Sequence, residues 1–125
     1  MDIKNIEDII LLVDNFYEKV NDDPLLSPVF NDIAKVNWKE HLPVMYSFWS
    51  AVLFDTNTYK GQPFTSHIDL PIHKEHFRRW LELFKQTVDE HFEGRIAGEA
   101  KEKADSIAMI FQMKLGLISD NLRIM

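Results

Sequence analysis

The stretch Phe77-Arg78-Arg79-Trp80-Leu81-Glu82-Leu83-Phe84-Lys85-Gln86-Thr87-Val88 decides the fold. Phe77, Trp80, Leu81, Phe84 and Val88 recur at steps of three and four residues, which puts them on one stripe of an α-helix. The spacing predicts a helix from about Ile72 to Phe92. Beyond it Gly94 breaks the pattern, and a further helix carries Ile96, Ala100, Ala104, Ile107, Phe111 and Leu115. From about Ser119 the tail is polar and expected to fray.

Two more helices precede this stretch. The first is expected to open at Asn5, with Asp8 at the capping-box offset, and its apolar positions are Ile6, Ile9, Ile10, Val13, Phe16, Tyr17 and Val20. Asp22-Asp23-Pro24 ends it, and a short apolar connector containing Pro28 runs from Leu25 to Phe30. The next helix is expected near Asn37, with Glu40 as its capping partner and an inner face of Trp38, His41, Leu42, Met45, Phe48, Trp49 and Val52. Pro43 falls in its second turn, where it removes one backbone hydrogen bond. Residues 55–71 read as irregular, with turn chemistry at Asp55-Thr56-Asn57-Thr58 and Gly61-Gln62-Pro63. Between Pro63 and Pro71 there is room for about two helical turns, and His67 sits there. No stretch alternates as a β-strand does. The reading is all-α, one domain over residues 1–125.

Composition removes several functions. The net charge is −6, from twenty acidic against fourteen basic residues, which argues against nucleic acid and against an anionic membrane surface. There is no cysteine, so thiolate metal sites, iron–sulfur clusters, thiol catalysis and covalently attached haem are excluded. The apolar cluster Ile9–Val13 is short and acid-flanked, unlike a signal peptide, and no apolar run approaches the ~18 residues that span a bilayer. A cytoplasmic protein is expected.

Chemistry has to be sought among the five histidines. The residues three before them are Trp38, Phe64, Leu70, His73 and Val88, so the Glu-x-x-His pattern of di-iron bundles is absent. His-Glu-x-x-His, phosphate-cradling glycine loops and Gly-x-Ser-x-Gly are absent as well. His73 and His76 could clip a surface metal, but two ligands do not close a site. His91 reads as a solvated helix-end residue. His41 lies on an apolar stripe, and His67, with Phe64 one turn before it, should also face inward. From position alone the commoner reading of each is a satisfied core histidine rather than a ligand. Tyr17 and Trp80 have the same two readings, because aromatic stripes usually build cores. A haem, however, needs one axial imidazole, an apolar slot and a few polar groups opposite. Tyr17, His41 and Trp80 would supply polar-tipped rings from three helices.

The chain resembles the group III truncated haemoglobins, bacterial globins with a reduced two-over-two helical sandwich. The matching stretches are Phe16-Tyr17-Glu18-Lys19-Val20, Leu26-x-Pro28-Val29-Phe30, Trp38-x-x-His41, Phe48-Trp49, Tyr59-x-Gly61-Gln62-Pro63-x-x-x-His67-x-x-Leu70 and His76-Phe77-x-Arg79-Trp80-Leu81-x-Leu83-Phe84. Singly weak, together they span nearly the whole chain in the family's order. The resemblance implies that His67 is the proximal iron ligand of a non-covalent haem b. Tyr17 and Trp80 would be the distal hydrogen-bond donors and His41 a distal pocket or gate residue. Phe30 would pack against the haem, with Met45 on the distal face and Phe77 as a further cofactor contact. Lys74, Arg78 and Arg79 are candidates to meet the propionates.

The implied activity is reversible binding of O2, NO or CO at a five-coordinate iron. Strong distal donors suit O2/NO or peroxide chemistry, fed by an electron-donating reductase, better than O2 transport. A non-catalytic gas sensor or reservoir is an alternative, and a haem-free helical interaction module a remote one.

Overall fold

The computed structural model describes residues 1–54 and 72–116. Four helices carry the architecture: α1 (Ile6–Asp22), α2 (Trp38–Phe54), α3 (Lys74–His91) and α4 (Arg95–Lys114), with a π-helical turn at Pro28–Ile33 between the first two. Helix α1 packs on both α2 and α3, α3 on α4, and α2 on α4, while the described residues contain no strand. The irregular segment expected at 55–71, His67 with it, and the tail expected to fray from Ser119 lie outside the described residues.

Helix α1 begins as its sequence demands. Asn5 accepts a hydrogen bond from Asp8 N at 3.0 Å, but Asp8 Oδ2 reaches Lys4 N at 2.8 Å, one residue before the position a standard capping box would use. Glu7 and Asp8 sit at its positive end and Lys19 in its last turn, each favoured by the helix dipole. The buried stripe is Ile9, Leu12, Val13, Phe16, Tyr17 and Val20. Ile6, expected in that stripe, is exposed, because Ile3 is folded back into the core instead.

That fold-back has a second use. Asp2 accepts from Ile96 N (2.9 Å) and Ala97 N (2.8 Å), so the second residue of the chain caps the start of α4. Burial pushes its carboxyl up, but these two donors, Ile3 N and nearby Arg95 outweigh it and hold the group below the usual carboxylate range. Gly94, with φ at +134°, brings the α4 start against Asp2, where a Cβ would lie 2.7 Å from the carboxylate.

Helix α3 opens with an unusual box: His76 is buried, and its Nδ1 accepts from His73 N at 2.9 Å. His76 is therefore a capping residue rather than half of a surface metal clip. Along α4 the fully buried residues are Ala97, Ala100, Ala104 and Ala108, while Ile96, Ile107 and Phe111 are half-buried. An alanine face lets α4 approach its neighbours closely, which leaves the larger residues at the edges of the contact. The core between the layers centres on Trp49, Phe16, Phe84 and Val88, all essentially excluded from solvent.

Between α1 and α2 the chain makes a wide turn that periodicity does not foresee. Asp23 is buried and accepts from Leu25 N (3.1 Å) and Leu26 N (3.0 Å), and Ala34 N bonds Val29 O at 2.9 Å across the π turn. Lys35 then adopts φ +51°, and Val36 N returns to Phe30 O at 2.9 Å. A left-handed non-glycine residue is strained. Here that strain folds the π turn back over the start of α2.

Candidate functional site

The sharp corner after the π turn brings rings from three segments together. Tyr17 of α1 lies 5.2 Å from Trp38, 5.6 Å from His41 and 6.0 Å from Phe30, centroid to centroid. Trp38 stacks on Phe30 at 5.8 Å and meets His41 edge-on at 5.5 Å. A second set joins through Phe16, which contacts Tyr17 at 4.8 Å and Trp80 at 5.6 Å. Trp80 and Trp49 each stack nearly parallel on Phe84, at 5.7 and 4.7 Å. The result is a continuous aromatic wall from α2 through α1 to α3, in the offset and edge-to-face geometries that aromatic pairs prefer.

Polar tips are few along this wall. Tyr17 is 5% exposed, and burial pushes its phenol well above its ordinary value, so it remains an O–H donor. Among the described residues, neither the Tyr17 hydroxyl nor the Trp80 indole N–H has a hydrogen-bond partner, whereas the Trp38 N–H donates to Asn31 Oδ1 at 2.8 Å. Buried donors are normally satisfied. The Tyr17 ring is buried and the Trp80 ring half-buried, and two such polar tips without a protein acceptor suit a site whose ligand supplies one. His41 Nε2 is buried as well, which sets the ring inside the wall rather than out in solvent.

Of the residues expected at the site, the structure brings Tyr17, Phe30 and His41 into one group and connects Trp80 to it through Phe16. Met45, one turn beyond His41, is half-buried and packs against the core. Phe77 stands apart: it is buried, but its ring partner is Phe111 of α4, at 6.4 Å. His67 lies outside the described residues. Arg79 is already engaged, donating from Nε to Asp23 Oδ1 at 2.6 Å and from Nη1 to Glu82 Oε2 at 3.0 Å. Lys74 and Arg78, the other basic candidates, are exposed. Trp38 is the site residue that sequence reasoning left as a plain inner-face residue. Its position three before His41 places the two on one helix face, a signal that could have found it.

Four helices packed around an aromatic wall, with no strand among the described residues, are the frame of a shortened globin. The model of the bacterial-like globins matches residues 3–114. A group 3 truncated haemoglobin of Campylobacter jejuni is 36% identical over 115 residues, which cover 89% of this chain and 91% of that protein. The crystal structure of a group III truncated haemoglobin from Campylobacter jejuni is similar with a TM-score of 0.83 and 34% identity, over 92% of this chain and 94% of that one. The chain belongs to the bacterial-like globin family, among the group III truncated haemoglobins. Haem binding and a diatomic gas ligand go with that membership. Among the described residues, no helix is long and apolar enough to cross a membrane.

Proposed function

We propose that the chain holds haem b without a covalent bond, with His67 as axial ligand, and works on a diatomic ligand bound opposite. Haem, when bound, supplies an iron with one coordination position open to O2, NO or CO. Phe30, Met45 and Phe77 would contact the macrocycle. Tyr17 and Trp80 would donate to the ligand, and His41 would stand at the entrance beside Tyr17.

One observation supports this reading: Tyr17, buried, and Trp80, half-buried, belong from different helices to one aromatic wall joined through Phe16, and neither polar tip has an acceptor among the described residues. Hydrogen bonds to a charged acceptor are worth ~1.5–3 kcal/mol each. Aimed at a ligand that gains negative charge, they retain it and oppose quick release. Retention favours chemistry on the ligand, O2/NO or peroxide turnover with electrons from a reductase, over transport. The Tyr17 phenol, kept protonated by burial, holds its proton at Oη and gives a hydrogen bond rather than a charge.

The optical spectrum of the purified protein tests this as isolated, after reduction, and under CO. A Soret band that moves at both steps is the expected result. A colourless protein that takes up no added hemin would refute it.

A further inference from the structure

We propose that Asn31 and Trp38 form a latch that positions the distal face of the pocket, with Asn31 holding Trp38 and Trp38 holding His41 against Tyr17. The inference rests on the haem-binding reading above and adds to it a device that reaches from the surface at Asn31 to the wall at Trp38.

Asn31 is the junction of three segments. Its Nδ2 donates to Asn21 Oδ1 (2.8 Å) near the end of α1, and to Ser27 O and Ser27 Oγ (both 3.1 Å) at the start of the π turn. Its Oδ1 accepts the Trp38 indole N–H at 2.8 Å, on the first residue of α2. One exposed side chain therefore ties α1, the π turn and α2 into a single corner, in which Lys35 is held left-handed. Strain of that kind persists only where surrounding contacts over-determine it.

Trp38 transmits this tie inward. It stacks on Phe30 with planes 28° apart, meets His41 at 81°, and lies at 53° to Tyr17. An indole fixed at its nitrogen and stacked on one face has little freedom to rotate. His41, one turn further along α2, is confined between that indole and the Tyr17 ring. Access past His41 thus depends on the Asn31–Trp38 bond, although neither residue needs to touch the gas ligand. Both are positioning residues.

The test uses the haem-loaded chain and CO as probe, comparing wild type with Asn31→Leu, Asn31→Asp and Trp38→Phe. Asn31→Leu removes the acceptor, Trp38→Phe removes the donor but keeps a ring, and Asn31→Asp keeps an acceptor while losing the Nδ2 bonds. An exposed hydrogen bond of ~0.5–1.5 kcal/mol converts to a factor of about 2 to 12. We expect CO association to quicken by that factor in Asn31→Leu and Trp38→Phe, with the double variant no faster than either. Asn31→Asp, which keeps the acceptor for Trp38 but loses the Nδ2 bonds, should lie nearer wild type than Asn31→Leu. The iron–CO stretching band, which reports the groups facing the ligand, should broaden in the two fast variants. A looser fold alone would lower thermal stability without following this pattern. Unchanged CO association in Asn31→Leu and Trp38→Phe with a normal Soret band overturns the latch and leaves the haem reading intact. Asn31→Asp behaving as Asn31→Leu also overturns it, by assigning the effect to the turn. If Asn31→Leu fails to fold, Trp38→Phe decides. A wild-type chain that binds no hemin overturns the haem reading, and the latch with it.

Discussion

The guanidinium of Arg79 donates from Nε to Asp23 Oδ1 at 2.6 Å, which fastens the first half of α3 to the residue that ends α1. The two are unequal partners. The Asp23 side chain is 3% exposed and the Arg79 side chain 42%, so a buried carboxylate leans on a half-solvated cation. Burial pushes the Asp23 carboxyl up, but Arg79 and the N–H groups of Leu26 and Leu25 outweigh this and hold it below the usual range.

A group whose folded pKa lies below its unfolded value of ~3.9 makes the unfolded chain the stronger proton binder at low pH. Its stabilisation is present above that value and is lost as pH falls through it toward the folded pKa. Denaturant titrations between pH 7 and pH 3 should therefore show stability falling below about pH 4.5, and less steeply in Asp23→Asn. Asp2 is shifted in the same direction, so the slope should shrink rather than vanish. Arg79→Leu should cost ~1–2 kcal/mol at neutral pH, less than the loss from a fully buried pair, because water already screens Arg79.

A separate prediction concerns the other end of α3. Gly94→Ala places a Cβ 2.7 Å from the Asp2 carboxylate at a backbone φ of +134°. It should destabilise the protein by ~1–3 kcal/mol. Asp2→Ala removes the cap of α4 and should cost ~0.5–2 kcal/mol. In the double variant the contacts with the carboxylate are gone, and the close approach of the residue 2 Cβ at 3.0 Å, the backbone strain and the lost cap remain. Thermal denaturation should then show a loss smaller than the sum of the two singles. Strict additivity would mean that Asp2 and Gly94 act independently.

The helices could be read from the chain wherever one face is strongly apolar. Ile9, Val13, Phe16, Tyr17 and Val20 in α1, and Phe77, Phe84 and Val88 in α3, are buried as their periodicity requires. Thr87 is fully buried yet escaped the reading, because its Oγ1 back-bonds to Leu83 O at 2.7 Å and so spends its polarity within the helix. The Asp2 cap was invisible for a different reason: its partners lie more than ninety residues away, and no local pattern announces such a contact. The π turn has no periodic signature, and without it the meeting of Trp38 with Tyr17 cannot be foreseen. Convergence of Tyr17 and His41 was legible only through resemblance to a family, since each residue alone reads more readily as core.

Removing the proposed distal donors tests what the wall does. Tyr17→Phe keeps the ring that packs on Phe16 and deletes only the hydroxyl. If that hydroxyl bonds the ligand, O2 dissociation measured by stopped flow should quicken about 10- to 150-fold, the equivalent of ~1.5–3 kcal/mol. Trp80→Phe should act in the same direction. Burial keeps the Tyr17 phenol protonated above its ordinary range, so the wild-type rate should be flat from pH 7 to about pH 10. A rise in rate below pH 10 would show that the phenol ionises and does not serve as a steady donor.

His67→Leu separates the haem from the scaffold. Among the described residues, the core built by α1 to α4 includes Phe16, Trp49, Phe84 and Val88; if His67 serves the haem and not that core, the haem-free variant should match haem-free wild type in helix content and melting temperature by circular dichroism. Its haem-loaded form should differ sharply. Without the axial imidazole, hemin should bind weakly and the ferrous–CO spectrum should lose the signature of a histidine-ligated iron. In His67→Gly, which removes the side chain altogether, free imidazole should restore that signature in a concentration-dependent way. His41→Leu serves as the control: His41 lies beside Tyr17 at 5.6 Å, and if His67 holds the iron this change should leave axial ligation intact while altering CO association. An unaltered spectrum in His67→Leu together with a lost one in His41→Leu would exchange the two roles. It would then make the Tyr17–Trp38–His41 group the proximal side of the pocket.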